Sequence, residues 1–170
     1  MNEIFNFLSS RSGNNTYYLN SLNHIEDVDL EIYRALESEY SDEIIVNLLN
    51  ETSWREQLVA YTYILASFKS EHLPLLQVAL EKGSFISPQL VVAIAVLGKR
   101  EMGEYLKSML SASSISGKSK GAILSVLPSC FINELTIDSF NVDLSEFGMG
   151  FRVAEQHMQH WRRVQCFQKP

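Results

Sequence analysis

Apolar residues recur at helical spacing along most of the chain. From Asp29 onward Leu30, Tyr33, Leu36 and Tyr40 fall on one face, the three-and-four spacing of an amphipathic helix. Ser41, Asp42 and Glu43 then put an acceptor and two carboxylates at a second helix start, with Ile44, Ile45, Leu48 and Leu49 as its buried stripe. Ser53, with Glu56 in the third position after it, spells a capping box and opens a helix carrying Leu58, Tyr61, Ile64, Leu65 and Phe68.

From that helix a repeat emerges. Leu58-Val59-Ala60 aligns with Leu90-Val91-Val92 and Leu65 with Leu97; one deletion later, Leu75 and Val78 align with Leu106 and Met109. Each unit reads as a helix pair. The first comprises Ser53 to Phe68 and Glu71 to Glu81, closed by Gly83. The second comprises Pro88 to Leu97 and Glu101 to Leu110, with Pro88 in the first turn. A third begins at Lys118, where Gly121-Ala122-Ile123-Leu124 leads to Leu127 before Pro128 is expected to stop it. Helix pairs repeating about every 30 to 45 residues predict an α-solenoid, in which each pair covers the apolar face of the last. The run Leu90 to Leu97, apolar on every side, is then a central helix packed between neighbours.

Beyond Pro128 the pattern weakens. Leu135 to Leu144 alternates enough for an extended loop or a short strand, and Gly148-Met149-Gly150 is expected to break the chain. Phe151, Ala154, Met158 and Trp161 then share a face, with Arg152, Arg162 and Arg163 elsewhere, predicting an amphipathic helix that caps the solenoid.

Composition agrees with one folded domain. The chain has 170 residues, 46% hydrophobic and 20% charged, with 8 Gly and 4 Pro, which excludes disordered and fibrous classes. Cys130 and Cys166 are too few for a disulfide framework and lack zinc-site spacing, suiting a reducing cytoplasm. Met1 to Ser10 offers no basic residue ahead of its apolar positions, and the longest apolar run is Leu90 to Leu97, so neither a signal peptide nor a membrane span is expected.

Charge is distributed unevenly. Residues 1–56 hold 11 of the 20 acidic side chains and only 3 of the 14 basic ones. From Glu26 to Glu43 eight carboxylates accompany Arg34 alone. Such a run is ordinarily a solvated helix face, and alternatively a docking surface. A net charge of -6 disfavours broad binding of nucleic acid.

Several strings imitate catalytic motifs. Ala112 to Ser119 nearly spells a phosphate-binding loop, but a helix leads into it where the mechanism requires a strand, so it reads as a Ser-rich loop between helix pairs. Gly117-Lys118-Ser119-Lys120-Gly121 matches a nucleophile elbow, with Asp138 or Asp143 and then His157 in hydrolase order, yet no strand series precedes it to build the sheet. His157 and His160, with Glu155 nearby, lack the protease spacing and read as surface or cap histidines; His24 and His72 are distant in sequence. Cys166 has no evident base and reads as a packed thiol. No catalytic residue, metal or cofactor is therefore expected. Trp54 and Arg55 open the first repeat helix, where the indole is expected under the preceding helix and the guanidinium on Glu51 or Glu81.

The stretch Asn50 to Ala60 (Asn-Glu-Thr-Ser-Trp-Arg-Glu-Gln-Leu-Val-Ala), with Gln89 to Gly98 and the Tyr105-Leu106 helix, resembles small HEAT-like helical proteins of bacteria over roughly residues 40–127. The resemblance implies an all-α fold, a short right-handed α-solenoid. An acidic helical segment (1–52) would lead into the helix pairs (53–127), an irregular connection (128–150) and the capping helix (151–168). In size, charge and build the chain also resembles the immunity proteins of contact-dependent growth inhibition systems, some of which neutralise EndoU-type RNase toxins. That resemblance implies a cytoplasmic, non-catalytic protein covering the active site of a cognate toxin domain, without direct nucleic-acid or membrane contact. A basic nuclease would meet Glu31, Glu37, Glu39, Asp42, Glu43, Glu101 and Glu104, with Tyr33 and Tyr40 as anchors. An adaptor that binds a protein partner is the alternative, and a small hydrolase or nucleic-acid enzyme the third reading.

Overall fold

The computed structural model describes residues 41–131 and 144–168. All regular structure among them is helical: α1 (Asp42–Asn50), α2 (Trp54–Ser67), a 3-10 turn (Ser70–His72), α3 (Leu73–Lys82), α4 (Ser87–Met109), α5 (Gly117–Cys130) and α6 (Leu144–Gln168). The expected helix from Asp29, the opening turn and the extended segment after Leu135 lie outside the described residues, apart from Leu144, which begins α6. None of the described helices is long and apolar enough to cross a membrane.

Two helices form the centre. In α2 every residue from Glu56 to Ala66 is buried, and in α4 every residue from Ser87 to Ala95. Burial all round a helix requires neighbours on all sides, and α1, α3, α5 and α6 provide them. α1 contributes Ile45, Leu48 and Leu49, α3 contributes Leu76, Ala79 and Leu80, and α5 contributes Ile123, Val126 and Leu127. The helix pair expected between Pro88 and Leu110 is present as the two halves of α4. They meet at Lys99, whose φ of 49° and ψ of -131° leave the helical region.

Three local expectations are corrected. Ser41 and Ser53 occupy N-cap positions, but neither side chain makes a capping bond, and no capping box forms. Glu56 is instead buried with its Oε2 unpartnered, because the packed α2 draws its side chain inward. Among the described residues the side-chain cap that does form is Ser116, whose Oγ accepts from the Ser119 N–H at 3.1 Å.

Pro128 does not end α5, which continues to Cys130. A proline in the last turn removes one bond, to the Leu124 carbonyl. Tertiary packing holds the turn nonetheless: Cys130 and Phe131 press so closely on Gly103 that an added Cβ there would lie 2.7 Å from the Cys130 Cβ. Burial raises the Cys130 thiol to about 11, which keeps it protonated and unreactive. Gly148 and Gly150, expected to break the chain, lie inside α6, which begins at Leu144 and not at 151. The backbone of α6 approaches α5 closely at Gly150, where a side chain would collide with the Lys118 carbonyl.

Candidate functional site

Of the residues proposed to meet a partner, Glu31, Tyr33, Glu37, Glu39 and Tyr40 lie outside the described residues. Asp42, Glu43, Glu101 and Glu104 are all exposed. Asp42 is nevertheless engaged within the chain. Its Oδ1 accepts from Lys69 Nζ at 2.7 Å and from the Tyr63 hydroxyl at 3.4 Å, and lies 3.3 Å from His72 Nε2. Lys69 also donates to Tyr63 Oη at 3.2 Å. Here the start of α1 is tied to the end of α2 and the turn beyond it. The hydrogen bond from Lys69 holds Asp42 below its ordinary range, and the same contact raises Lys69.

Asp42, Glu71 and His72 are the one grouping of metal-ligand types among the described residues, their ligand atoms within 4.8 Å of one another. The Lys69 ammonium already supplies positive charge there. Leu73, next to His72, lies against Gly98 and so places the Lys99 break near this end of the molecule. Glu101 and Glu104 follow the break on the second half of α4, spaced to share a side of the helix. Glu43, Glu101 and Glu104 have no ion pair among the described residues.

At the other end of α2 two cations rest on aromatic rings. The Arg55 guanidinium carbon lies 4.8 Å above the Trp54 ring and reaches neither Glu51 nor Glu81, correcting the expected pairing. Glu81 instead accepts from the Tyr105 hydroxyl at 3.0 Å; burial first and this bond second raise the Tyr105 pKa. The Trp54 indole tilts against Phe85, in the α3–α4 connection, with ring centroids 5.8 Å apart. Lys118 Nζ stands 4.2 Å above the Phe85 ring and donates to its carbonyl at 2.5 Å. A hollow of about 270 Å³ adjoins Phe85, lined also by Leu49, Gln57, Ala79, Lys82 and Ser84. Gln57 fixes its floor, donating to the Glu51 carbonyl at 2.8 Å and accepting from the Ser84 hydroxyl.

The remaining tempting residues are packed within the helices. Ser119 is buried in the first turn of α5, with its Oγ 2.8 Å from that of Ser116. His157 is fully buried, its Nδ1 2.8 Å from the Tyr61 hydroxyl, which also accepts from Trp161 Nε1 at 2.7 Å. His157 is thus a core group and not the surface or cap histidine expected. His160 packs edge-on against Trp161.

Burial, with the Arg163 charge second, lowers His160 to about 4 from 6.5. Between those values the unfolded chain binds a proton that the folded chain refuses, so stability falls as pH drops from 6.5 toward 4. The Tm is expected to decline across that window, and His160→Gln to flatten the decline; an equal slope in the variant refutes the assignment. Asp42 acts lower on the scale. Its contribution is present above 3.8 and is lost as pH falls through its depressed folded pKa.

No protein family matches the chain, and neither does any curated protein or solved structure.

Proposed function

We propose that the chain is an immunity protein, a non-catalytic cytoplasmic binder that covers the active site of a cognate bacterial toxin domain. In this reading the helix pairs stack as a short right-handed HEAT-like repeat. The partner is a basic nuclease, with an RNase of the EndoU type delivered by contact-dependent growth inhibition as the leading candidate. The observation that carries the reading is charge: Glu43, Glu101 and Glu104 are exposed carboxylates without ion pairs among the described residues, and Glu43 belongs to the acidic front of the sequence. Carboxylates so arranged steer a phosphate-binding, hence basic, enzyme into contact and compete for its substrate groove. Asp42, neutralised by Lys69, contributes less than its position in the sequence suggests.

The test begins with a tagged pull-down from the native cell at low salt, followed by expression of any small domain recovered. A single near-stoichiometric partner that is toxic unless this protein is co-expressed supports the reading; a harmless partner overturns it. With that partner in hand, reversal of Glu43, Glu101 and Glu104 to lysine is expected to slow association by about tenfold or more at low salt. It should also flatten the salt dependence, while unchanged kinetics would move the interface elsewhere. An adaptor is the second reading, favoured by one specific observation: Phe85 is 63% exposed beside a hollow that can receive a side chain.

A further inference from the structure

We propose that Arg55, Trp54, Phe85 and Lys118, with the hollow beside Phe85, form a docking site for an acidic peptide segment of a protein partner. Carboxylates of the segment would sit on the two cations, with one apolar side chain in the hollow. The site uses none of the carboxylates invoked above and is opposite to them in charge, so it stands whether or not they bind a toxin.

Charge complementarity selects the occupant. Arg55 and Lys118 have no carboxylate partner among the described residues; each is held against an aromatic ring. Lys82 adds a third positive charge on the lining of the hollow, against Glu51 as its one carboxylate. Burial depresses the Lys118 pKa, and a carboxylate laid beside it would offset that desolvation. A cation resting on a ring keeps its outward N–H groups for an incoming carboxylate, and the ring limits the rotamer entropy lost on binding.

Size selects the manner of binding. At about 270 Å³ the hollow falls below the roughly 300–1,000 Å³ of small-molecule sites, and suits a side chain entering from a segment laid across the row. Cations interleaved with aromatics also suggest single-stranded nucleic acid, which binds by stacking bases on open rings. Stacking has little room on these rings: Arg55 takes one face of Trp54, Lys118 takes one face of the exposed Phe85, and the two rings tilt against each other. Two cations beside an exposed apolar ring fit an acidic peptide with an apolar side chain better than bases.

The experiment is selection of a random peptide library displayed on phage against the full chain. Synthetic versions of the enriched peptides are then measured by fluorescence anisotropy. Enriched sequences should place two or more Asp or Glu around an apolar residue. Arg55→Ala, Lys118→Ala and Phe85→Ser should each weaken binding at least about tenfold, and Lys118→Arg should retain it, with circular dichroism checking that each variant folds. Enrichment of basic or neutral sequences, no enrichment, or equal affinity in the alanine variants overturns the proposal. So does tighter binding of a single-stranded oligonucleotide, which reassigns the row to nucleic acid. Self-association by light scattering that these variants abolish also overturns it, by making a second copy of the chain the occupant.

Discussion

Replacing Trp161 with alanine is expected to lower the unfolding free energy by about 3–5 kcal/mol, the range for deleting a large buried aromatic. The side chain is 1% exposed and stands edge-on to Tyr61 at 6.3 Å between centroids. Its indole N–H bonds the same hydroxyl that meets His157. Loss of the ring therefore opens a cavity where α6 meets α2 and also removes a bond from a buried polar cluster. Tyr61→Phe separates the two effects, since it keeps the ring and deletes the shared hydroxyl. It is expected to cost about 1–3 kcal/mol, the penalty for leaving buried polar partners short of a bond. Urea denaturation of both single variants and the double variant measures the coupling between them. Additive losses would show that the bond contributes nothing beyond packing.

That cluster also marks where sequence reading stops. Tyr61 was legible as a core position from its spacing to Leu58 and Ile64, and the central place of Leu90 to Leu97 from its unbroken apolarity. Periodicity reports which face of a helix is covered, and Tyr61 is buried as it predicts; of the apolar run Leu90 to Ala95 is buried, while Val96 and Leu97 are only partly so. It does not report what covers them. His157 and Trp161 lie 96 and 100 positions from Tyr61, so the polar character of this part of the core is a product of tertiary packing. The Ser53 and Glu56 pair fails for a related reason: the motif describes a helix end in water, and this one has Glu56 drawn into the interior.

The candidate surfaces were legible in the same partial way. Glu101 and Glu104, named from the sequence as carboxylates for a basic partner, are exposed. The engagement of Asp42 by Lys69 and His72 did not, because those partners are 27 and 30 positions away. Trp54 and Arg55 stood out as neighbours, whereas Phe85 and Lys118 join them from two other segments. The available signal was Phe85 itself, a large apolar residue in a Gly-containing turn, outside any periodic stripe.

Glycines in α6 provide a test in which two rules predict opposite signs. Helix propensity alone says that Gly→Ala in a helix interior stabilises by about 1 kcal/mol, and Gly148 should obey, since an added Cβ there meets nothing within 4 Å. Gly150 should not. Its added Cβ would fall against the Lys118 carbonyl group, 2.7 Å from the carbon and closer still to the oxygen, and neither atom is the free end of a flexible side chain. Gly121, on α5, faces the reciprocal obstacle, 2.9 Å from the Phe147 Cβ and closer to that residue's carbonyl oxygen. Relieving either clash moves α5 and α6 apart along the most extensive helix contact among the described residues. We expect Gly150→Ala to destabilise by about 3 kcal/mol net, the upper end of overpacking, and Gly148→Ala to stabilise by about 0.5–1 kcal/mol. Thermal and urea unfolding of the two variants side by side decides the matter. Stabilisation by both would mean that α5 and α6 do not approach at Gly150, and that the glycine pair serves no packing role.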